Sequence, residues 1–238
     1  MKSLLLFLIL FLSLRTTSYA EDTFVIKNEQ WTQYVNTLQF SKRLSLTSDV
    51  DFRWKDKLSL KSQYIFRSGI GYKIQDNLQC LLGFAHLGFY SDQKISKLEY
   101  RPFQQLSYKH KLNQLRFSHR LRIEQRYFYT KSSEGQGGST SFNYRFRYRI
   151  ALRKYLFGSD KLSFGLSNEI LFNGPKENVK SPFDQNRLIL GPAYHFTKNF
   201  SLNLYYQNLI SPTSARNSYN FNHIALLSIK HKIDLSKS

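Results

Sequence analysis

The chain has 238 residues, which is enough for one sizeable domain or two small ones. Its 35 Lys and Arg residues outnumber 16 Asp and Glu residues, and the formal charge of +19 indicates anionic partners: nucleic acid, anionic lipid or small anionic solutes. The single cysteine, Cys80, excludes an internal disulfide, and the scattered histidines have no metal-ligand spacing, so we expect neither a metal nor a cofactor.

The first twenty residues, MKSLLLFLILFLSLRTTSYA, have the order of a secretory signal peptide. Lys2 is a short cationic start, an apolar run covers 4–14, and Ser18-Tyr19-Ala20 is a small-x-small cleavage site. The apolar run is shorter than the roughly 20 residues that a membrane-spanning helix needs. We therefore predict a signal peptide at 1–20 and one domain at 21–238. Export also argues against nucleic acid as a partner.

From Trp31 onward, apolar and polar residues alternate with a period of two, which is typical of strands. The strongest segments are 44–53, 58–72, 115–129, 142–153, 162–172 and 185–196, and weaker alternation covers 31–40, 78–89, 99–110, 201–209 and 222–235. This makes eleven strands. A strand at 31–40 would start on the outer side, whereas the mature N-terminus is expected in the periplasm. TFVIK (23–27) is therefore the candidate for a twelfth strand. Ten strands is the alternative, if a weak segment such as 201–209 is not a strand.

The connections between these strands alternate in length. Tight turns are predicted at 41–43, 73–77, 111–114, 157–161 and 197–200, and longer links at 91–98, 131–140, 173–184 and 211–220, with 54–57 as the one short link of that second set. Short periplasmic turns and longer outer loops are typical of outer-membrane barrels. Because no longer linker interrupts the series, we predict a single domain.

Two segments, RFSHRLRIEQRYF (116–128) and FNYRFRYRIALRKY (142–155), place arginine at nearly every second position, with aromatic or aliphatic residues between. In a soluble lipocalin-like barrel the aromatic face would be the core. In a membrane barrel it meets lipid, and the arginines line the interior. An arginine facing lipid near the midplane would cost about 2–4 kcal/mol. With the signal peptide and long strands, the pattern favours an all-β, transmembrane, antiparallel up-and-down β-barrel of about twelve strands. The soluble periplasmic binding protein stays as an alternative.

Several blocks resemble a known family. SHRLRIEQRYF, NYRFRYRIAL, LSNEILFN and FDQNRLILGPAYHFTKNFSLNLYYQ are similar to the domain-of-unknown-function 2490 family, outer-membrane β-barrel proteins of Bacteroidota. The matching runs are Arg120-x-Arg122-x-Glu124-Gln125-Arg126, Asn168-Glu169 and Gln185-Asn186-Arg187. The resemblance covers roughly Trp31 to the C-terminus and implies a barrel in the outer membrane of a Gram-negative bacterium. It implies no particular activity. The chain departs from many outer-membrane barrels in ending on HKIDLSKS rather than on an aromatic residue.

The polar positions of the strands predict a charge cluster that faces the lumen. Its members are Arg67, Glu99, Arg101, Arg116, Arg120, Arg122, Glu124, Arg126, Arg145, Arg147, Arg149, Arg153, Glu169 and Arg187. Rings of Arg and Lys favour anions, so a narrow anion-leaning pore is one interpretation. A structural barrel, closed by pairing of these charges, is the other. The expected partners are outer-membrane lipid and lipopolysaccharide, and small anionic solutes for a pore. A monomer is expected.

A lipid-modifying enzyme is the further alternative. Acyl transfer needs a nucleophile with a base, and His195 could approach Ser167 if strands 162–172 and 185–196 are neighbours. Ser118 and His119 cannot serve one site, because adjacent strand residues point to opposite faces. We assign no catalytic residue and expect His195 to be a hydrogen-bonded interior residue.

Overall fold

The computed structural model describes residues 23–132, 137–175 and 181–236, so the predicted signal peptide at 1–20 lies outside the described residues. The described residues form eleven strands: β1 Thr23–Gln39, β2 Leu44–Lys55, β3 Leu60–Gln75, β4 Leu78–Ser91, β5 Lys94–Leu112, β6 Leu115–Lys131, β7 Gly138–Tyr155, β8 Leu162–Gly174, β9 Phe183–His195, β10 Phe200–Pro212 and β11 Ser218–Asp234. Within this part of the chain, no helix has the length and apolarity that a membrane crossing requires.

The eleven strands form a closed barrel in which each strand pairs with its neighbours along the chain, and β1 pairs with β11. Chain neighbours are antiparallel, but the seam is parallel, with a register from Thr23 opposite Ser218 to Gln39 opposite Asp234. A meander with an odd number of strands begins and ends in the same direction, so its closure has to be parallel. The prediction of an all-β barrel agrees with this structure, whereas a wholly antiparallel barrel does not.

The described residues do not contain the predicted twelfth strand. Residues 23–27 are instead the beginning of β1, which continues without a turn through Asn28 and Gln30 to Gln39. These two residues stay in register with His223 and Ala225 of β11, so the ladder holds them extended. The alternative of ten strands fails as well, because the weak segment 201–209 lies within β10.

The barrel has two distinct ends. The turn end carries the links 40–43, 76–77, 113–114, 156–161 and 196–199 and the end of β11. The loop end carries the links 56–59, 92–93 and 213–217, the described residues that flank 133–136 and 176–180, and the start of β1. The long link predicted at 91–98 is wrong. Asp92 and Gln93 form a two-residue turn with φ values of 50° and 63°, a left-handed pair that matches the twist of a hairpin.

The two faces of the barrel wall have opposite character. On β7, the outward side chain of Phe146 is 46% exposed, whereas the next residue, Arg147, points inward and is 5% exposed. The same alternation leaves large hydrophobic side chains such as Leu82 and Leu121 on the outer surface. The buried set contains Glu, Arg, Asn and Ser as well as a smaller apolar group. This is the reverse of the arrangement expected for a soluble lipocalin-like barrel, whose aromatic face would be enclosed.

Polar side chains on the outer face bond to one another across neighbouring strands. Cross-strand pairs of Tyr and His lie at 2.6–3.2 Å, and amide pairs at 3.0 Å: Tyr64–His86, Tyr148–His119, Tyr206–His223, Tyr34–His231, Gln104–Gln125 and Asn168–Asn186. A hydrogen-bonded polar group costs less to remove from water than a free one. These six pairs therefore lower the cost of placing twelve polar side chains on the apolar face.

Candidate functional site

The register between β6 and β7 places arginines directly opposite one another in the interior. Arg122 lies directly opposite Arg147, and Arg120 lies directly opposite Arg149. Like charges in directly opposed positions destabilise a sheet. Glu124 reaches Arg122 and Arg147, and Glu169 reaches Arg120 and Arg147. Among the described residues, no carboxylate forms an ion pair with Arg149.

Glu124 on β6 is the centre of the interior. Its carboxylate lies 2.6 Å from both Arg145 Nη2 and Arg147 Nη1, on the neighbouring strand β7. Arg101 Nη1 on β5 and Arg122 Nη1 on β6 lie farther away, at 3.5 and 3.6 Å. The Glu124 side chain has no exposed surface. One carboxylate thus joins arginines from three consecutive strands.

Arg147 connects this centre to a second carboxylate. Its Nη2 lies 2.8 Å from Glu169 Oε2 on β8, and its Nε donates to Glu169 Oε1 at 3.0 Å. Arg120 Nη2 donates to the same Oε1 at 2.5 Å. A guanidinium that holds one carboxylate through two N–H groups is held in both position and orientation. Arg147 therefore spans from Glu124 to Glu169 and ties β6, β7 and β8 together.

Two further carboxylates complete what we call the arginine–carboxylate network. Glu99 on β5 lies 2.7 Å from both Arg101 Nη2 and Arg126 Nε. Asp184 lies 3.1 Å from Arg145 Nη1. Asp184 reaches the interior through the register shift opposite Leu171 and Phe172, where β9 carries an extra residue. The members of the network are Glu99, Arg101, Arg120, Arg122, Glu124, Arg126, Arg145, Arg147, Glu169 and Asp184.

A separate charged group lies on β2 and β3. Arg67 Nε donates to Asp49 Oδ2 at 2.7 Å, and Arg67 Nη2 lies 2.7 Å from Asp51 Oδ2. Arg53 stacks on the Trp31 ring, with 3.6 Å between its Cζ and the ring centroid. Sequence reasoning named Arg67 alone among these charged residues, although the two aspartates occupy the same face of β2 in the alternation.

Amide and aromatic side chains hold the arginines that carboxylates reach poorly. Gln105 Oε1 accepts from Arg122 Nη2 at 2.6 Å, and Phe103 lies under the guanidinium of Arg122 at 4.3 Å. Gln185 Oε1 accepts from Arg187 Nε at 2.9 Å. Phe103 belongs to an apolar group on the interior wall, with Ile65, Ala85 and Leu87. The network thus packs against an apolar wall, which the weak alternation at 78–89 did not predict.

The remaining predicted residues lie toward the turn end. Arg149 and Arg153 face the interior of β7, and Arg116 lies at the exposed rim with its Cζ 4.6 Å from the Tyr155 ring centroid. Among the described residues, no carboxylate forms an ion pair with these three arginines. The structure thus divides the predicted cluster into a paired middle and an unpaired turn end.

The candidate nucleophile and base are not brought together. His195 Nε2 lies 2.9 Å from Ser163 Oγ. Ser167 lies opposite Ile189 in the β8–β9 ladder, and Ile189 precedes His195 by several residues on β9. Ser163 has no exposed surface, so a substrate carbonyl could not reach it. The predicted approach of His195 to Ser167 is wrong, because the register places His195 beyond the end of the β8–β9 ladder. His195 is a hydrogen-bonded interior residue.

The described part of the chain has no group of three or more His, Cys, Asp or Glu side chains arranged to hold a metal ion. Sequence reasoning missed two kinds of site residue. Asp184 is brought inward by an irregular register, which alternation cannot show. Lys230 and Lys232, which line a cavity at the turn end, lie in the weakly alternating segment 222–235, although they share one face of it.

A comparison with protein families identifies one match. The model of DUF2490, a protein family of unknown function, matches residues 28–220, most of the chain. The chain belongs to this family. The match includes the whole of the arginine–carboxylate network, so the network is a feature of the DUF2490 region of this chain.

Comparison with curated proteins finds no match. Among solved structures, a NanC porin is similar with 13% identity and a TM-score of 0.44, over 76% of this chain and 87% of the porin. A mutant of the ferric enterobactin receptor PfeA from Pseudomonas aeruginosa is similar with 9% identity and a TM-score of 0.33, over 76% of this chain. This chain spans 38% of that receptor. Similarity at this level does not indicate a function for the DUF2490 protein.

Proposed function

We propose that this DUF2490 protein is a structural β-barrel of the outer membrane of a Gram-negative bacterium, exported with a cleaved signal peptide at 1–20. Its outer face contacts lipid and lipopolysaccharide, and its lumen is closed at mid-height by the arginine–carboxylate network. The observation that carries the proposal is the complete burial of Glu124 between Arg145 and Arg147. If a water-filled pore passed at that level, the side chains of Glu124, Arg145 and Arg147 would be exposed to water.

Strand length and surface chemistry support the membrane position. The described strands have 12 to 19 residues, and 12 residues tilted by about 45° span roughly 28 Å, enough for an apolar band about 25 Å tall. The exposed aromatic and aliphatic side chains suit lipid, and the Tyr–His and amide pairs satisfy polar groups that would otherwise be costly there.

A narrow anion-leaning pore is the second candidate function. The cavity at the turn end favours it, because Arg153, Lys198, Lys230 and Lys232 line this cavity. Among the described residues no carboxylate lines it. Cations that line a passage raise the local concentration of anions. Passage to the loop end would nevertheless require a route past the network.

Conductance in a planar bilayer tests the closed lumen. We expect the wild-type protein to insert without unitary current steps. Arg147→Ala removes the guanidinium that spans from Glu124 to Glu169, so small openings are expected from this variant. Arg122→Ala is the comparison variant, since Arg122 contacts Gln105 more closely than any carboxylate. Steady, anion-selective conductance of the wild type would contradict the closed lumen and support the narrow anion-leaning pore. Silence of all three proteins would eliminate the pore.

A further inference from the structure

The turn end of the interior contains a chamber whose charges are unlike those of the network. A cavity of about 230 Å³ lies beneath the link 196–199, which follows β9. Its lining comes from β1, β7, β9, β10, β11 and this link. We call it the turn-end chamber. Its cationic lining residues are Arg153, Lys198, Lys230 and Lys232, and its neutral polar lining includes Thr37, Tyr155, Thr197 and Ser201.

The chamber lacks the carboxylates that neutralise the arginines above it. Among the described residues, none of its lining side chains is an Asp or a Glu. Glu169, on the adjoining interior surface, is already held by Arg120 and Arg147. Asp234, at the end of β11, accepts hydrogen bonds from the amide and hydroxyl of Ser236. The local excess of positive charge is therefore built into the wall.

Several cations of this part of the wall repel one another. The charge of Lys230 interacts with those of Arg149 and Arg153, and the charge of Lys109 interacts with those of Arg149, Arg153 and other lysines. Arg149 Nε is also a buried donor without a hydrogen-bond partner among the described residues. A charge on His195 interacts with Asp160 of the β7–β8 link, which does not line the chamber. Mutual repulsion of partly buried cations such as Arg149, Arg153 and Lys230 destabilises a fold unless an anion joins them.

We propose that the turn-end chamber binds a small divalent oxyanion, with the chemistry of phosphate. The guanidinium of Arg153 on β7 supplies paired N–H donors for two oxygens of such an ion, and Lys230 supplies a point charge from β11. The hydroxyls of Tyr155 and Thr197 offer further donors. The chamber has the volume of about eight water molecules, which suits a phosphate group with part of its hydration and excludes a lipid headgroup with its chains.

Binding of inorganic phosphate to the folded full-length barrel in detergent tests this proposal. Calorimetry at low chloride is expected to show saturable binding to the wild type, weakened at least tenfold by Lys230→Gln. Lys57→Gln is the matched control, because it removes one positive charge from an exposed link at the loop end. Lys230→Gln removes one of several repelling cations, so folding is expected to be retained. Heat-modifiable gel mobility checks this for each variant.

Parallel titrations distinguish the sources of the anion. Sulfate tests whether charge and shape suffice, chloride tests a general effect of anions, and glycerol 3-phosphate tests a phosphate monoester. Tighter binding of the monoester than of phosphate assigns the chamber to a small phosphorylated solute. Absence of saturable phosphate binding, or equal loss in Lys57→Gln and Lys230→Gln, overturns the proposal. The site does not depend on the closed lumen, since a conducting barrel could carry it as well.

Discussion

Replacing Glu124 by Gln is expected to lower the free energy of unfolding by at least about 3 kcal/mol. The substitution keeps the size of the side chain and removes only its charge. Gln would keep an acceptor oxygen for only one of Arg145 and Arg147 and would turn an NH2 group toward the other, and both guanidinium groups would remain enclosed without the negative charge between them. Removing one partner of a buried ion pair is costly because the other charge stays buried. Equilibrium unfolding by guanidinium in lipid vesicles measures the change.

The matched control for this prediction is Asp56→Asn, which also removes one negative charge. Asp56 lies in an exposed link at the loop end with φ 47°, a conformation that Asn accepts. We expect a change within about 0.5 kcal/mol. Arg145→Gln should also cost less in the Glu124→Gln protein than in the wild type, because the two residues share one interaction. Equal stability of Glu124→Gln and Asp56→Asn would show that the network does not hold the barrel.

Phe146→Arg is expected to destabilise the membrane-inserted barrel by about 2–4 kcal/mol. Phe146 lies at the middle of β7, is 46% exposed, and faces outward. A guanidinium there would stand in the hydrocarbon near the midplane. The same unfolding measurement in vesicles gives the loss of stability. The yield of folded protein in the membrane fraction shows whether less of the variant inserts.

Thr140→Arg is the control on the same strand and the same face. Thr140 lies two residues from the start of β7, where the cost of an outward arginine falls to about 0–1 kcal/mol. A membrane barrel therefore predicts a marked difference between the two substitutions. A barrel that faces water on the outside predicts small and similar effects for both, and that result would contradict the membrane position.

The strict alternation of 116–128 and 142–155 was sufficient to predict β6 and β7 and their two faces. Period-two patterning records directly which face is apolar, so Phe146 and Arg147 could be assigned to opposite sides from sequence alone. The structure brings Arg147 together with Glu124 and Glu169, which share its face in the pattern. Glu–Arg partners on neighbouring strands require only that the strands be adjacent, which a series of hairpins ensures.

Closure and irregular register could not be predicted in the same way. Nothing local in TFVIK distinguishes a separate strand from the first residues of β1, since only pairing with β11 decides it. Asp184 enters the network through an extra residue in β9, and an alternation pattern assigns such a residue to the wrong face. The hairpin at Asp92 and Gln93 lacks the glycine that usually marks a turn of this kind, which is why a long link was expected there.

Quenching of tryptophan fluorescence by brominated acyl chains tests the orientation of the wall most directly. Trp54→Phe leaves Trp31, which is 6% exposed and faces the interior. Trp31→Phe with Trp54→Phe and Phe146→Trp leaves one tryptophan on the outer face of β7. In vesicles of brominated lipid we predict strong quenching of the tryptophan at 146 and little quenching of Trp31. Equal quenching of both, or emission from position 146 that the bromines do not affect, would contradict a barrel with its rings in lipid and its arginines inside.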